Sequence, residues 1–148
     1  MWVFGGFDSG MRQNSVISYD FVANKWSKIT TIGKGPVARA GHSAVIEDDK
    51  MYIFGGKDED NEKQKDLWCL DLKTLEWTAL ECGEESVQSR SGHSACVYDG
   101  NMLIFAGIHE VTKELNDLAV YNFGSKKWVH MFNEPPTKRP PIQNPLDN

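Results

Sequence analysis

Short apolar runs alternate with polar and turn residues along residues 43–80. SAVIE (43–47) alternates in part, MYIFGG (51–56) is an apolar run that ends in two glycines, and DLWCLDL (66–72) and EWTAL (76–80) alternate again. Runs of about five to seven residues that are rich in β-branched and aromatic types, and bounded by turn residues, predict strands. Apolar residues do not recur at helical spacing over three turns. The pattern therefore predicts four antiparallel strands in this segment.

The same pattern recurs at a fixed offset. Residues 39–56 (RAGHSAVIEDDKMYIFGG) and 90–107 (RSGHSACVYDGNMLIFAG) agree at ten of eighteen positions, 51 residues apart. Trp26, Trp77 and Trp128 keep this spacing, and an Asp or Asn stands six residues before each of them. A fixed period of this size indicates one supersecondary unit that is repeated and stacked.

A four-stranded sheet cannot bury both of its faces by itself, but identical sheets stacked face to face around an axis can. Such a sheet is a β-propeller blade. The chain starts in the second strand of a repeat, so we expect three, four and four strands, or about 2.75 blades. Propellers usually close with about four to eight blades. We therefore expect a fragment of a larger propeller or, as the alternative, copies that self-associate to complete the ring.

Several motifs of the repeat resemble those of the kelch family. They are R-x-G-H-S-A, an apolar pair followed by F-G-G, N-D-L, and D-x6-W, over residues 1 to about 132. The resemblance implies an all-β fold of kelch-type β-propeller blades, each of four antiparallel strands. The kelch region is predicted to cover 1–133, with a partial blade 1 at 1–32, blade 2 at 39–82 and blade 3 at 90–133. Ala106, Asn122 and Ser15-Val16 depart from the pattern.

The last segment, 134–148, has a different composition. It contains five of the six prolines of the chain. Proline has no N–H to donate to a strand ladder, so this segment is predicted to be a Pro-rich tail or linker, polyproline-like in part. A role as a Pro-rich recognition segment is the alternative interpretation.

Composition limits the classes of partner and compartment. The net charge of −5 opposes non-specific binding to nucleic acid, and no apolar run approaches the length that spans a bilayer. The N-terminus does not have the pattern of a signal peptide. Three cysteines without a CxxC pair suggest a reducing compartment, and we expect a cytoplasmic protein. Cys69 and Cys96 fall in predicted strands and are expected to be buried, whereas Cys82 lies in a Gly/Glu-rich loop.

No motif of an enzyme is present in the sequence. A nucleophile elbow, a Walker loop and an HExxH motif are all missing, and we predict no enzyme, no catalytic residue and no cofactor. His42 and His93 occupy equivalent repeat positions and could converge on a metal. Their recurrence at the repeat period favours instead an anchoring role within each blade, so no metal is predicted. A kelch-type enzyme or metal-dependent specifier protein, and a structural subunit of a larger assembly, are the alternatives.

The kelch resemblance also implies where a partner would bind. In kelch relatives, the segments that lead into each blade and the loops after the diglycine lie on one face, which commonly binds peptides. We therefore predict a scaffold for protein–protein interaction that binds a protein or peptide through these loops. For Arg39 and Arg90, the alternative of structural pairing with a nearby carboxylate or carbonyl is the favoured interpretation. The predicted partner-binding residues are Arg12, Arg39, His42, Lys57, Asp58, Glu59, Arg90, Ser91, His93 and His109.

Overall fold

The regular structure of the described residues is made of strands. The computed structural model describes residues 1–81, 87–111 and 113–132, and the predicted tail and Cys82 lie outside them. Within the described ranges, no helix is long and apolar enough to cross a membrane. The eleven strands there are β1 (Trp2–Asp8), β2 (Met11–Asp20), β3 (Lys25–Ile29), β4 (Ser43–Glu47), β5 (Lys50–Phe54), β6 (Leu67–Asp71), β7 (Trp77–Leu80), β8 (Ser94–Tyr98), β9 (Asn101–Ile108), β10 (Glu114–Asn122) and β11 (Lys127–Phe132).

The strands form three antiparallel sheets in which sequence neighbours are also neighbours in the sheet. Blade 1 has the order β1-β2-β3, blade 2 the order β4-β5-β6-β7, and blade 3 the order β8-β9-β10-β11. The predicted series of three, four and four strands is confirmed, as is the all-β fold class. Strands β4 and β8, which begin the two complete blades, contact each other.

The apolar core lies between the blades. One cluster joins Phe4 and Val16 of blade 1 to residues of blade 2 such as Ile53 and Leu70. A second cluster joins blade 2 to blade 3. Each sheet thus buries a face only by packing against the next sheet, as the repeat architecture requires.

A tryptophan from each complete blade packs on a phenylalanine of the blade before it. Trp77 contacts Phe4 edge to face with ring centroids 5.3 Å apart, and Trp128 lies tilted against Phe54 at 5.1 Å. Trp26, at the equivalent position of blade 1, is instead 50% exposed. The reason is geometric: the described residues contain no blade on the face that Trp26 occupies.

The outer face of blade 3, at the other end of the stack of blades, is also not covered by any described residue. Phe105, the equivalent of Phe4 and Phe54, is 52% exposed. Cys96 is exposed too, so the prediction that it is buried was wrong, whereas Cys69 is buried as predicted. Side chains alternate along a strand. The neighbours of Cys96 in β8 pack against the core, and Cys96 itself points to the uncovered face.

The diglycine of blade 2 allows the next blade to approach closely. Gly55 has φ +68°, and a Cβ at this position would lie 2.6 Å from the carbonyl oxygen of Arg90. In addition, the N–H of Gly56 donates to the same carbonyl at 2.8 Å. A side chain would force the two backbones apart, so the glycine is required both by its φ and by the packing.

Candidate functional site

A buried arginine holds the start of each complete blade to its third strand. The guanidinium of Arg39 donates to both carboxylate oxygens of Asp66, at 2.6 and 2.9 Å, and to the carbonyl of Gly55 at 3.0 Å. Arg90 repeats this arrangement with Asp117, at 2.8 Å for both bonds. Parallel paired bonds of this kind are among the strongest between charged side chains.

Charge and burial indicate that these arginines stabilise the blade and are not available at its surface. Both side chains are 0% exposed. Burial alone would raise the pKa of Asp66, but the hydrogen bonds and charge of Arg39 outweigh it, and the pKa lies below its ordinary value. The pair is therefore ionised at neutral pH. These contacts are the structural pairing considered as the alternative, and we do not include Arg39 and Arg90 among the residues proposed to contact a partner.

The two equivalent histidines also join neighbouring blades. Nε2 of His42 donates to the carbonyl of Phe4 at 2.9 Å, and Nε2 of His93 shares a hydrogen bond with Oγ of Ser43 at 2.8 Å. Burial lowers the pKa of both, and the charge of Arg90 adds to the effect on His93, whose pKa falls to about 4. In the described part of the chain, no group of three or more His, Cys, Asp or Glu side chains could hold a metal.

The depressed pKa of His93 predicts a stability that falls in mild acid. In the unfolded chain His93 has the ordinary pKa of 6.5, against about 4 in the fold. Below pH 6.5 the unfolded state therefore binds a proton that the folded state excludes, which costs about 2–3 kcal/mol of stability by pH 4.5. His93→Gln, which keeps a donor for Ser43, will show a smaller loss between pH 7 and 4.5 in urea unfolding. An equal loss in both proteins would contradict this assignment.

An open cleft of about 410 Å³ lies where the three blades meet on the face of the β1–β2, β5–β6 and β9–β10 loops. Three of its lining residues hold the same repeat position, directly after the diglycine or its equivalent. These are Phe7, Lys57 and Ile108, spaced by 50 and 51 residues. The other lining residues are Arg12, Ala40, Gly41, Ser91 and Gly92.

Backbone hydrogen bonds fix the floor of the cleft. Ala40 and Lys57 exchange N–H···O bonds of 3.0 and 2.8 Å, and Ser91 and Ile108 do the same at 3.1 and 2.9 Å. The N–H of Gly92 donates to the carbonyl of Gly41 at 2.8 Å, which ties the two inter-blade segments together. These bonds connect the post-diglycine positions of blades 2 and 3 to the inter-blade segments that form the floor.

The cleft places positive charge between apolar side chains. Among the described residues, the ammonium group of Lys57 has no hydrogen-bond or ion-pair partner. The guanidinium of Arg12 is partly engaged, since it donates to Oδ1 of Asn61 at 2.6 Å and lies 4.0 Å from the carboxylate of Glu59. The apolar side chains of Phe7 and Ile108, which also line the cleft, are exposed.

The structure brings only part of the predicted set together. Arg12, Lys57 and Ser91 line the cleft, and Glu59 touches its edge through Arg12. Asp58 instead accepts hydrogen bonds from its own loop, at the N–H groups of residues 60 and 62. His109 lies in a separate groove, where Nδ1 is 2.6 Å from the carbonyl of Ser89.

Five lining residues are absent from the predicted partner-binding set: Phe7, Ala40, Gly41, Gly92 and Ile108. A signal for them was present in the repeat. Phe7 and Ile108 are the equivalents of Lys57, which was selected, and Gly41 and Gly92 stand next to selected positions. Extending the choice of Lys57 to its repeat equivalents would have added Phe7 and Ile108, which line the cleft.

Comparison with known proteins identifies the family. The model of the KLHDC2/KLHL20/DRC7 Kelch-repeats domain matches residues 1–143. The chain belongs to the Kelch-repeat family. Kelch domain-containing protein 3 of Bos taurus is 29% identical over 143 residues, which cover 87% of the chain and 37% of that relative. Leucine-zipper-like transcriptional regulator 1 of Homo sapiens is 33% identical over 129 residues, covering 83% of the chain and 15% of the relative. This Kelch chain therefore spans well under half the length of these relatives.

Proposed function

We propose that this chain is a protein-interaction module that binds a peptide segment of its partner in the cleft between the blades. The segment would carry an acidic side chain next to an apolar one. The observation that carries the proposal is the ammonium of Lys57, which has no partner among the described residues and lines the cleft together with the exposed side chains of Phe7 and Ile108. A cation flanked by apolar groups favours a ligand with the opposite charge and matching apolar surface.

The rigid floor supports binding without rearrangement. The loops that carry the cleft residues are held by the backbone bonds of Lys57 and Ile108 to the inter-blade segments. A preformed site loses little conformational entropy when a ligand binds. The volume, about 410 Å³, is within the range of small ligand pockets and suits a few side chains of an extended segment.

The side chains of the cleft favour binding over a reaction. None of the lining residues is a histidine, cysteine, aspartate or glutamate, the types that commonly act as general acids, bases or nucleophiles. The cleft also contains the hydroxyl of Ser91 and the ammonium of Lys57, but Ser91 is only 3% exposed, and no hydrogen bond joins the two groups among the described residues. We therefore propose that the partner is a protein and that no covalent step takes place.

Selection from a random peptide library displayed on phage, with the whole chain as bait, tests this function. We expect the enriched peptides to pair Asp or Glu with a large apolar residue. Fluorescence anisotropy with a synthetic peptide from the selection will show that Lys57→Glu weakens binding at least about tenfold, since it places like charges together.

The matched control is Lys28→Glu, which makes the same charge change on β3, outside the cleft. It is expected to bind the peptide like the unaltered chain, and thermal melting of both variants will show that they fold. Enriched peptides without acidic residues, or equal affinities of the Lys57 and Lys28 variants, would overturn the proposal.

A further inference from the structure

A second cavity, of about 200 Å³, lies between blades 2 and 3 and is distinct from the cleft. It has no lining residue in common with the cleft. Aromatic side chains form much of its wall: the ring centroids of Tyr52 and Phe123 are 4.4 Å apart, and those of Tyr121 and Phe123 are 5.9 Å apart. A cavity of about 150 Å³ is known to accept benzene, so this one has room for a single ring with a small substituent.

The polar groups inside this inter-blade cavity are neutral and able to donate hydrogen bonds. The hydroxyl of Tyr52 and the thiol of Cys69 both line the cavity, and each affects the pKa of the other. Burial raises the pKa of both groups above their ordinary values, so both keep their protons at neutral pH. The hydroxyl of Thr78 also lines the cavity. These donors suit a ligand that carries acceptor atoms.

Two lysines stand at the same cavity and make it favourable for an anion. Lys50 and Lys126 both line it, and the positive charge of each acts on the thiol of Cys69. Neither ammonium forms an ion pair with a carboxylate within 4.0 Å in the described residues. Asp71, which also acts on the thiol, is not a lining residue and accepts hydrogen bonds from its own turn.

The interface between blades 1 and 2 offers an internal comparison. Strand registers place Trp2 where blade 2 has Tyr52, since Trp2 pairs with Ser18 and Tyr52 pairs with Cys69. The repeat period places Leu75 of blade 2 where blade 3 has Lys126. Both residues have positive φ, each in the equivalent turn of its own blade. The first interface therefore has a large indole and a leucine where the second has a phenol and a lysine.

We propose that the inter-blade cavity binds a small aromatic carboxylate, with its ring among the three aromatic side chains and its carboxylate toward the two lysine ammonium groups. The ring size follows from the volume, and the charge from the lysines and the donors. The site lies apart from the cleft, so its failure would leave the proposed peptide binding untouched.

The experiment is a ¹⁹F NMR titration of the whole chain with 4-fluorobenzoate, with 4-fluorobenzyl alcohol as the neutral comparison. We expect saturable binding of the carboxylate with a dissociation constant on the order of 1 mM or lower, as expected for a ligand of this size. The alcohol will bind at least about fivefold more weakly, because it lacks the charge that the lysines attract.

Two variants place residues of the interface between blades 1 and 2 at the equivalent positions of the cavity. Lys126→Leu introduces the residue found at position 75 and will weaken carboxylate binding about fivefold or more. Tyr52→Trp introduces the residue found at position 2 and will prevent binding by filling the cavity. Lys28→Leu, outside the cavity, will leave binding unchanged. Absence of saturable binding, equal binding of acid and alcohol, or equal binding by the Lys126 and Lys28 variants would overturn the proposal.

Discussion

Asp117→Ala will lower the free energy of unfolding by about 3–5 kcal/mol, the usual cost of leaving one charge of a buried pair without its partner. Arg90 is 0% exposed, and both of its bonds to Asp117 would be lost. Water reaches this pair poorly, because the carboxylate side chain is only 14% exposed. Urea unfolding followed by tryptophan fluorescence measures the change.

Asp66→Ala is the matched control in the preceding blade. It removes the same two bonds from Arg39 and one from Nε1 of Trp68, but the side chain of Asp66 is 38% exposed, so water can replace part of what is lost. We therefore expect the smaller cost at Asp66. A loss below about 1 kcal/mol for Asp117→Ala, the range of exposed pairs, would show that the pair is solvated and that this part of the account is wrong.

Trp128→Ala will also destabilise the chain strongly, by about 3–5 kcal/mol, as large aromatic residues do when they are removed from a core. Trp128 is 4% exposed and packs between Phe54 and Tyr121. Its removal would open a cavity at the interface of blades 2 and 3. Thermal and urea unfolding of the variant measure the loss.

Trp26→Ala is the control that the repeat itself supplies. Trp26 is at the equivalent position but is 50% exposed, so we expect a loss of no more than about 1 kcal/mol. A cost at Trp26 as large as that at Trp128 would mean that another blade covers this face in solution. If a second copy supplies that blade, the melting temperature would rise with protein concentration.

The strands and their grouping were predictable because they depend on local patterns. Alternation in SAVIE and the glycines after MYIF place strand ends at Ser43 and near Phe54 without any knowledge of the fold. The burial of individual repeat positions was less predictable. Trp26 and Cys96 have the same sequence context as buried equivalents, and only the presence or absence of a neighbouring sheet decides their exposure.

The site was only partly predictable for a related reason. Arg39 and Arg90 could be given either a structural or a binding role from the sequence, and the structure pairs each with an aspartate 27 residues later that reaches it across the blade. This recurring spacing was visible in the sequence, but its meaning depends on the strand register. Lys57 differs from them because its repeat equivalents, Phe7 and Ile108, are apolar. A charge that does not recur at the repeat period is a better indicator of binding in this chain than one that does.

The most direct test of the central claim is a ¹⁵N–¹H correlation spectrum of the chain, recorded as an acidic-apolar peptide from the phage selection is added. The account predicts that the amide signals of Lys57, Ser91, Gly92 and Ile108, which surround the cleft, shift with a common saturation curve. Shifts confined to the exposed faces around Trp26 or Phe105, with the cleft signals unmoved, would contradict it.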